Sequence, residues 1–498
     1  LILSLKGVLI KSKFNQTTTG AMKTVNKCGA PAYKMEDCLK LTTMVLTSMF
    51  GEEKYYGDNT SELTKLAESI NGEFLAKLAI YTRKVFHLRS VSHALAAIVA
   101  HRQDTKIYTM AVLNGVVERV DDITEIMSYY IKKYGKPIPN ALKKATAAQL
   151  NKFNEYQFAK YNGGSKEMKV RDVLRIVHPK PVSAEQSALF KKIITDTLET
   201  PYTWETELSA RGNTKEVWEE LISSGKIGYM ALMRNLSNIL KSGAENVDTV
   251  YKTLVDPEAV HKNKQLPFRY FSAYRALTEH SLCTSKVMSV LESAIKTSCD
   301  NMERISGKTL IAVDVSGSMQ GQLTSKSTVR YADIGCLIAS IANYVCDDSE
   351  IVAFDTELKN VTLPQTNGII SNSISMRIDG GGTNILLPIQ WALDKKKKFD
   401  RIIMISDNQL NSWSTSGYYY NSRYDHRTAQ TVVDEYRRTV NPDCWVHAID
   451  LMGYGTQQFI GGKTNILAGW SERVFEFIGH VENGFDSILE KVRETPLE

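Results

Sequence analysis

The residues best suited to chemistry are Asp314, Ser316 and Ser318, within the stretch Leu310–Met319 (LIAVDVSGSM). At spacing i, i+2, i+4 they project to one side of an extended loop. One carboxylate and two hydroxyls are hard oxygen ligands, too few to close an octahedron. Such a set suits Mg²⁺ or Mn²⁺ with positions left for water or a partner's acid. Downstream, Gly380-Gly381-Gly382-Thr383-Asn384 is a glycine turn carrying a threonine, and Arg401–Asp407 (RIIMISD) is an apolar run ending in an acid. The elements that must position these groups are legible too. Leu310–Val313 reads as a buried parallel strand emptying into a loop at its carboxyl end. In open α/β sheets ligand sites lie at that edge. Asp314, Ser316, Ser318, Thr383 and Asp407 therefore follow three separate strands or turns.

This order and spacing resemble the metal-ion-dependent adhesion site of von Willebrand factor A domains, and all five positions match. The resemblance implies that the serines and the threonine contact a divalent metal directly or nearly so, with Asp314 and Asp407 acting often through water. The competing reading is a nucleotide-binding α/β domain whose loop happens to hold serines.

A chain of 498 residues is too long for one ordinary core, so two or more domains are expected. Its 43% apolar and 23% charged residues are a globular composition. No apolar run approaches the roughly 18 residues of a membrane helix. The opening LILSLKGVLI is interrupted by Lys6 and reads as a packed or trimmed terminus, not a signal peptide. Seven scattered cysteines without a C-x-x-C pair suit a reducing compartment, and a cytoplasmic monomer is expected.

Charge is unevenly distributed. Residues 305–498 carry 18 Lys+Arg against 23 Asp+Glu, leaving 43 against 32 in residues 1–304. The first part is therefore the better candidate for a polyanion binder. Residues 1–30 read as an extended arm. Helical spacing then recurs over Asp37–Phe50, Glu62–Ser69, Gly72–Phe86, Val91–Ala100, Thr105–Val117 and Asp121–Lys133, separated by short polar turns. Helix after helix with almost no strand signal implies an α-solenoid or helical array of degenerate hairpins.

Two basic clusters lie on this scaffold. Arg89 and His93 are four apart and can share a helix face with His101. The face would contact phosphates, or else be a solvated flank with its histidines satisfied locally. The second cluster runs from Phe158 to Pro181 and gathers Lys160, Lys166, Lys169, Arg171, Arg175, His178 and Lys180 around Tyr161. Cations beside a stackable ring are what RNA strands or loops require. The competing role for Arg175 is an ion pair with Asp172 or with a carboxylate of a neighbouring helix.

That second string resembles the K-Y-…-D-L-L-R-L-x-H-x-K-P signature of the TROVE module of Ro autoantigen proteins. Lys54-Tyr55-Tyr56-Gly57, Trp218–Asn238 and Leu266-Pro267-Phe268 are similar to further segments of that family, with leucine where the last has histidine. Gly381-Gly382-Thr383 and Ser406-Asp407-Asn408 match the GGT and TDN segments of its A domain. The resemblance covers roughly residues 30–498. It implies a ring of HEAT-like helical repeats over 1–304, followed by a doubly wound α/β von Willebrand factor A domain over 305–498. It further implies binding of small structured non-coding (Y-type) RNAs on the basic outer surface, and of single-stranded 3′ ends of misfolded RNAs in the cavity. Small-RNA ribonucleoprotein assembly or RNA quality control would be the role. Carried over by position, Lys160 and His178 lead as RNA contacts, followed by Arg171 and Arg175. The loop between Lys160 and Arg171 is longer and glycine-rich here and lacks the family's arginine and tryptophan, so Lys166 or Lys169 would substitute.

No nucleophile–base constellation is evident. Asp425-His426 reads as surface, and Cys444 and His447 as core of a strand over Cys444–Ala448. A non-enzymatic RNA binder is thus expected. The alternatives are a metal-dependent protein-interaction module with incidental RNA binding, its partner (a ribonuclease among the candidates) supplying an acid to the metal, and a metal-dependent hydrolase. The last is disfavoured by the absence of a second metal or an activated base.

Overall fold

The computed structural model describes residues 23–26, 31–46, 60–161, 168–263, 267–300, 302, 304–322, 329–364, 366–376, 378, 380–409, 427–468, 473–482 and 488–498. Two compact units emerge. One joins residues 1–47 with 299–491, and the other joins 48–298 with 492–498. The boundary expected at residue 304 falls close to the observed division, but the described part of the N-terminal segment groups with the α/β unit. The physical reason is strand pairing. Strands β1 (Lys23–Val25) and β2 (Pro31–Lys34) form an antiparallel ladder, and β2 continues it onto a later two-residue strand at Thr456–Gln457.

The α/β unit is built on a six-stranded sheet. Its strands are β3 (Ile305–Asp314), β4 (Cys346–Phe354), β5 (Leu358–Val361), β6 (Arg401–Ser406), β7 (Trp445–Asp450) and β9 (Thr464–Ala468), with Thr456–Gln457 as β8. The order across the sheet is β5-β4-β3-β6-β7-β9, and every pairing except β4–β5 is parallel. Strands β3 and β6 are near-continuous apolar runs because helices cover such sheets on their faces. Leu310–Asp314 and all of β6 are buried. From β3 the chain moves to β4 on one side and returns to β6 on the other. The carboxyl ends of β3 and β6 therefore flank the point where strand order reverses, which opens a crevice there. The helix Tyr331–Val345 packs on β3 and β4, and Arg473–Glu482 on β7 and β9.

The second unit is helical. Thr60–Ser69, Gly72–Lys84, Ser90–His101, Thr109–Val116 and Val120–Tyr134 match the expected spans to within a few residues, the first expected helix being Asp37–Leu46 in the other unit. Apolar periodicity accounts for them: Ser90–His101 buries every residue from Val91 to Ala100 between its neighbours. The tryptophan segment forms Lys215–Ser223, Tyr229–Arg234 and Leu236–Ser242. Trp218 is fully buried, and the Tyr229 hydroxyl joins Tyr270 Oη (2.9 Å) and the Leu254 carbonyl (2.8 Å). Among the described residues no helix is long and apolar enough to cross a membrane. The six described cysteines are free thiols, and Cys444 and His447 are buried in the core as expected. Lys54–Gly57, Leu266 and Asp425-His426 lie outside the described residues.

Candidate functional site

At the carboxyl edge of β3 the predicted oxygen ligands come together. Two backbone bonds tie the Asp314–Ser318 loop to the glycine turn. The Gly317 N–H donates to the Gly381 carbonyl (2.7 Å), and the Gly380 N–H to the Val315 carbonyl (3.2 Å). A Cβ on Gly317 would stand 3.3 Å from both the Gly380 and Gly381 carbonyl oxygens, so glycine permits this approach. The strap brings Thr383 onto Ser316, its Oγ1 donating to Ser316 Oγ at 2.8 Å, while Ser316 Oγ lies 3.2 Å from Ser318 Oγ. Asp314 Oδ1 accepts from the Ser316 N–H (2.9 Å) and Oδ2 from Ser406 Oγ (2.7 Å). Asp407 Oδ1 accepts from the Gln409 N–H (3.0 Å), and its Oδ2 is buried without a hydrogen-bond partner. Asp314, Ser316 and Asp407 are wholly buried while Ser318 is exposed, so the group opens to solvent at Ser318.

The electrostatics follow from burial. Desolvation pushes the Asp314 carboxyl up to about 7, and the nearby Asp407 charge adds to it against the Ser316 and Ser406 hydroxyls. Asp407 is raised as well, chiefly by burial, with Ser318 and the Gln409 N–H opposing. Two buried acids beside three clustered hydroxyls are costly as they stand, and a divalent cation would offset that cost. Asp314, Ser316, Ser318, Thr383 and Asp407 fit a hard cation. The unpartnered Asp407 Oδ2 is the observation that favours one.

Two residues at this edge escaped sequence reasoning as contributors. Ser406 fixes Asp314. Asp450, at the end of β7 and opposite Ser406 in the ladder, is wholly buried with Oδ2 unpartnered. Its signal was present: Trp445–Asp450 (WVHAID) is a third apolar run ending in an acid, like β3 and the β6 run.

In the helical unit the Val170–Val177 helix buries Val170, Val173 and Leu174 and turns Arg171 and Arg175 the other way. Asp172 does not pair with Arg175; it caps the helix by accepting the Lys169 N–H at 3.0 Å. His178, at φ 47°, ends the helix in the left-handed region, its N–H bonded to the Leu174 carbonyl (3.0 Å). Arg175, His178 and Lys180 are exposed and make no ion pair among the described residues. Arg171 lies 3.4 Å from Asp196 Oδ2, a weak exposed pair. On the Glu155–Tyr161 helix the exposed Lys160 ammonium is 5.8 Å from the Tyr156 ring centroid and 5.7 Å from that of Tyr161. The Arg119 guanidinium stands 4.3 Å over Tyr161. Lys169 is half-buried, and Lys166 lies outside the described residues.

The expectation that Arg89 and His93 present a phosphate-contacting face needs correction. Both are committed to Asp122, a wholly buried carboxylate. It accepts from Arg89 Nη2 (2.7 Å) and Nε (3.1 Å), faces His93 Nε2 (3.0 Å), and takes the backbone N–H groups of Glu118 and Arg119. Arg89 also bonds Asp121 (2.9 Å). Although burial alone would raise it, hydrogen bonding and charge from His93 and Arg89 hold the Asp122 carboxyl well below the usual range. Sequence spacing shows that Arg89 and His93 share a helix face; it cannot show that an acid from the Val120–Tyr134 helix meets that face.

The architecture and this edge define a helical-array protein joined to a von Willebrand factor A-type domain. The TROVE domain model matches residues 52–200 and 195–325, more than half the chain, and the Ro60 vWA domain model matches 308–431. The chain belongs to the TROVE domain family. It is 26% identical over 240 residues to the RNA-binding protein RO60 of Caenorhabditis elegans, covering 45% of this chain and 36% of that protein. Identity to RNA-binding protein RO60 of Deinococcus radiodurans is 23% over 198 residues, covering 36% and 37%. Telomerase protein component 1 of Rattus norvegicus is 24% identical over 301 residues, covering 43% of this chain and 11% of its own length. The chain thus spans about a tenth to just over a third of these relatives. The crystal structure of the Deinococcus radiodurans RO (RSR) protein matches 90% of this chain and 100% of that one, with a TM-score of 0.58 at 15% identity, a likeness of fold.

Proposed function

We propose that this protein binds small structured non-coding RNAs of the Y type through the face bearing Lys160, Arg175, His178 and Lys180. On this reading it also accepts single-stranded 3′ ends of misfolded RNAs, in ribonucleoprotein assembly or RNA quality control. The observation that carries the reading is that the exposed Lys160, Arg175, His178 and Lys180 make no ion pair among the described residues, with the Lys160 ammonium near the Tyr156 and Tyr161 rings. Cations with no ion-pair partner among the described residues are available to phosphates, and the exposed Tyr156 ring near Lys160 offers a face to an unpaired base. The relatives named RNA-binding protein RO60 support it.

A second reading rests on the α/β unit. Asp314, Ser316, Ser318, Thr383 and Asp407 would hold Mg²⁺ or Mn²⁺, which when bound supplies a Lewis-acidic position for an acidic side chain of a protein partner. The residues' part is to fix the oxygen cage and open it at Ser318.

The test is a gel-shift titration with a structured small RNA carrying a 3′ single-stranded tail, the same RNA blunt-ended, and a plain duplex. Tight, tail-dependent binding that is lost in Lys160→Ala/His178→Ser, with the circular dichroism spectrum preserved, is expected. Equal weak binding to all three RNAs, or unchanged affinity in the double variant, would overturn the assignment.

A further inference from the structure

Four buried side-chain atoms without hydrogen-bond partners gather at the carboxyl ends of β6 and β7: Asp407 Oδ2, Asn408 Oδ1 and Nδ2, and Asp450 Oδ2. All three residues have zero exposure. Buried amides and carboxylates are almost always bonded, and each that is not costs stability. Four unpartnered atoms on three side chains at one strand edge therefore point to something else that satisfies them. They are one group, since Asp407 and Asn408 follow directly on β6, and Asp450 pairs with Ser406 in the β6–β7 ladder. Asp407 raises the Asp450 carboxyl by its charge and the Asn408 amide opposes that rise, so the three side chains lie within reach of one another. Asp450 Oδ1 is already taken by the N–H groups of Met452 (2.9 Å) and Gly453 (2.8 Å), which fix the carboxyl and leave Oδ2 as its free end.

We propose that Asp450, with Asn408, forms the outer shell of the divalent-cation site, reaching the ion through water that also bonds Asp407 Oδ2. This rests on the reading of Asp314, Ser316, Ser318, Thr383 and Asp407 as a cation site and adds a carboxylate to it. Asp450 is assigned to the outer shell and not to direct ligation because, among the described residues, no three His, Cys, Asp or Glu side chains form a group that could hold one ion. A water on the cation would find acceptors in Asp407 Oδ2 and Asp450 Oδ2, both buried without a hydrogen-bond partner of good geometry. Asn408 offers a further acceptor and donor for a second water. The third acid also changes the charge balance. Asp314, Asp407 and Asp450 together overcompensate a doubly charged ion, so the cage would retain it strongly while still leaving a coordination position open towards Ser318. Outer-shell acceptors of this kind typically set metal affinity by about 10–100-fold.

The test uses the full chain and Mn²⁺ alone, with Mn²⁺ affinity read by electron paramagnetic resonance of the free ion and Tm read with and without the ion. Asp450→Asn preserves the shape and keeps an oxygen for the Met452 and Gly453 N–H groups. It is expected to weaken Mn²⁺ binding by about tenfold or more and to shrink the Mn²⁺-induced rise in Tm, with the ion-free protein no less stable than the parent. Asn408→Ala should weaken binding in the same direction by less. An Asp450→Asn variant that binds Mn²⁺ as the parent does, while Ser316→Ala abolishes binding, would overturn the role of Asp450 and leave the cation site standing. A parent protein that binds no Mn²⁺ would overturn both.

Discussion

If the cations on the Val170–Lys180 face take phosphates, salt should report how many do so. Lys160, Arg175 and Lys180 are exposed and without carboxylate partners among the described residues, whereas Arg171 leans on Asp196. Three phosphate contacts to an RNA strand give a slope of log K against log salt of about −2, so affinity should fall about tenfold between 0.1 and 0.3 M. Each contact contributes about fourfold at 0.15 M on the same relation, so Arg175→Ala/Lys180→Ala should weaken binding by about tenfold and reduce the slope to about −0.7. Fluorescence-anisotropy titrations of a tailed RNA at five salt concentrations would measure both quantities. Lys286→Ala is the control, because Lys286 is an equally exposed cation of the helical unit but pairs with Asp248 at 2.7 Å. It should leave the slope unchanged. A slope in the double variant equal to that of the parent, or a Lys286→Ala slope that falls as far, would refute the argument from partner-free charge.

Three further outcomes follow from the buried groups. Asp122→Ala should cost about 3–5 kcal/mol in urea denaturation, because it removes the buried carboxylate that Arg89 and His93 share; a loss under 1 kcal/mol would contradict the network. Since the folded Asp122 carboxyl is held below its ordinary value, its stabilisation is present above about pH 4 and is lost as pH falls further, and Asp122→Asn should flatten that acid limb. Asp314 and Asp450 run the other way. Their carboxyls are raised to about 7, so without a cation stability is greatest below the unfolded value of about 4 and declines as pH rises through 7. A divalent cation that replaces the protons should therefore raise Tm more at pH 8 than at pH 5, and an equal gain at both would count against the site. Finally, Gly317→Val should abolish that Tm gain, its side chain meeting the Gly380 and Gly381 carbonyls that the strap brings within 3.3 Å of a Cβ; a retained gain would show that the loops need not approach so closely.

By itself the sequence determined whatever depends on short-range pattern. The run of helices from Thr60 onward follows from apolar spacing, and the buried parallel strands β3 and β6 follow from unbroken apolar runs. The set Asp314, Ser316, Ser318, Thr383 and Asp407 was readable because each lies where a strand or glycine turn ends, and strand ends in such sheets share an edge. The exposed Arg171–Arg175 face was readable from Val170, Val173 and Leu174 alone. Only the tertiary structure decided which charges meet across elements. It placed Asp122 under Arg89 and His93, turning an apparent phosphate face into a buried ion network, and it left Arg175 free by using Asp172 as a helix cap. It set Asp450 beside Asp407 through the β6–β7 register, and it drew the β1–β2 segment onto the α/β unit through β8. In each case the deciding partner lies on another element, and residue types along one segment carry no record of which distant backbone or charge will pack against them.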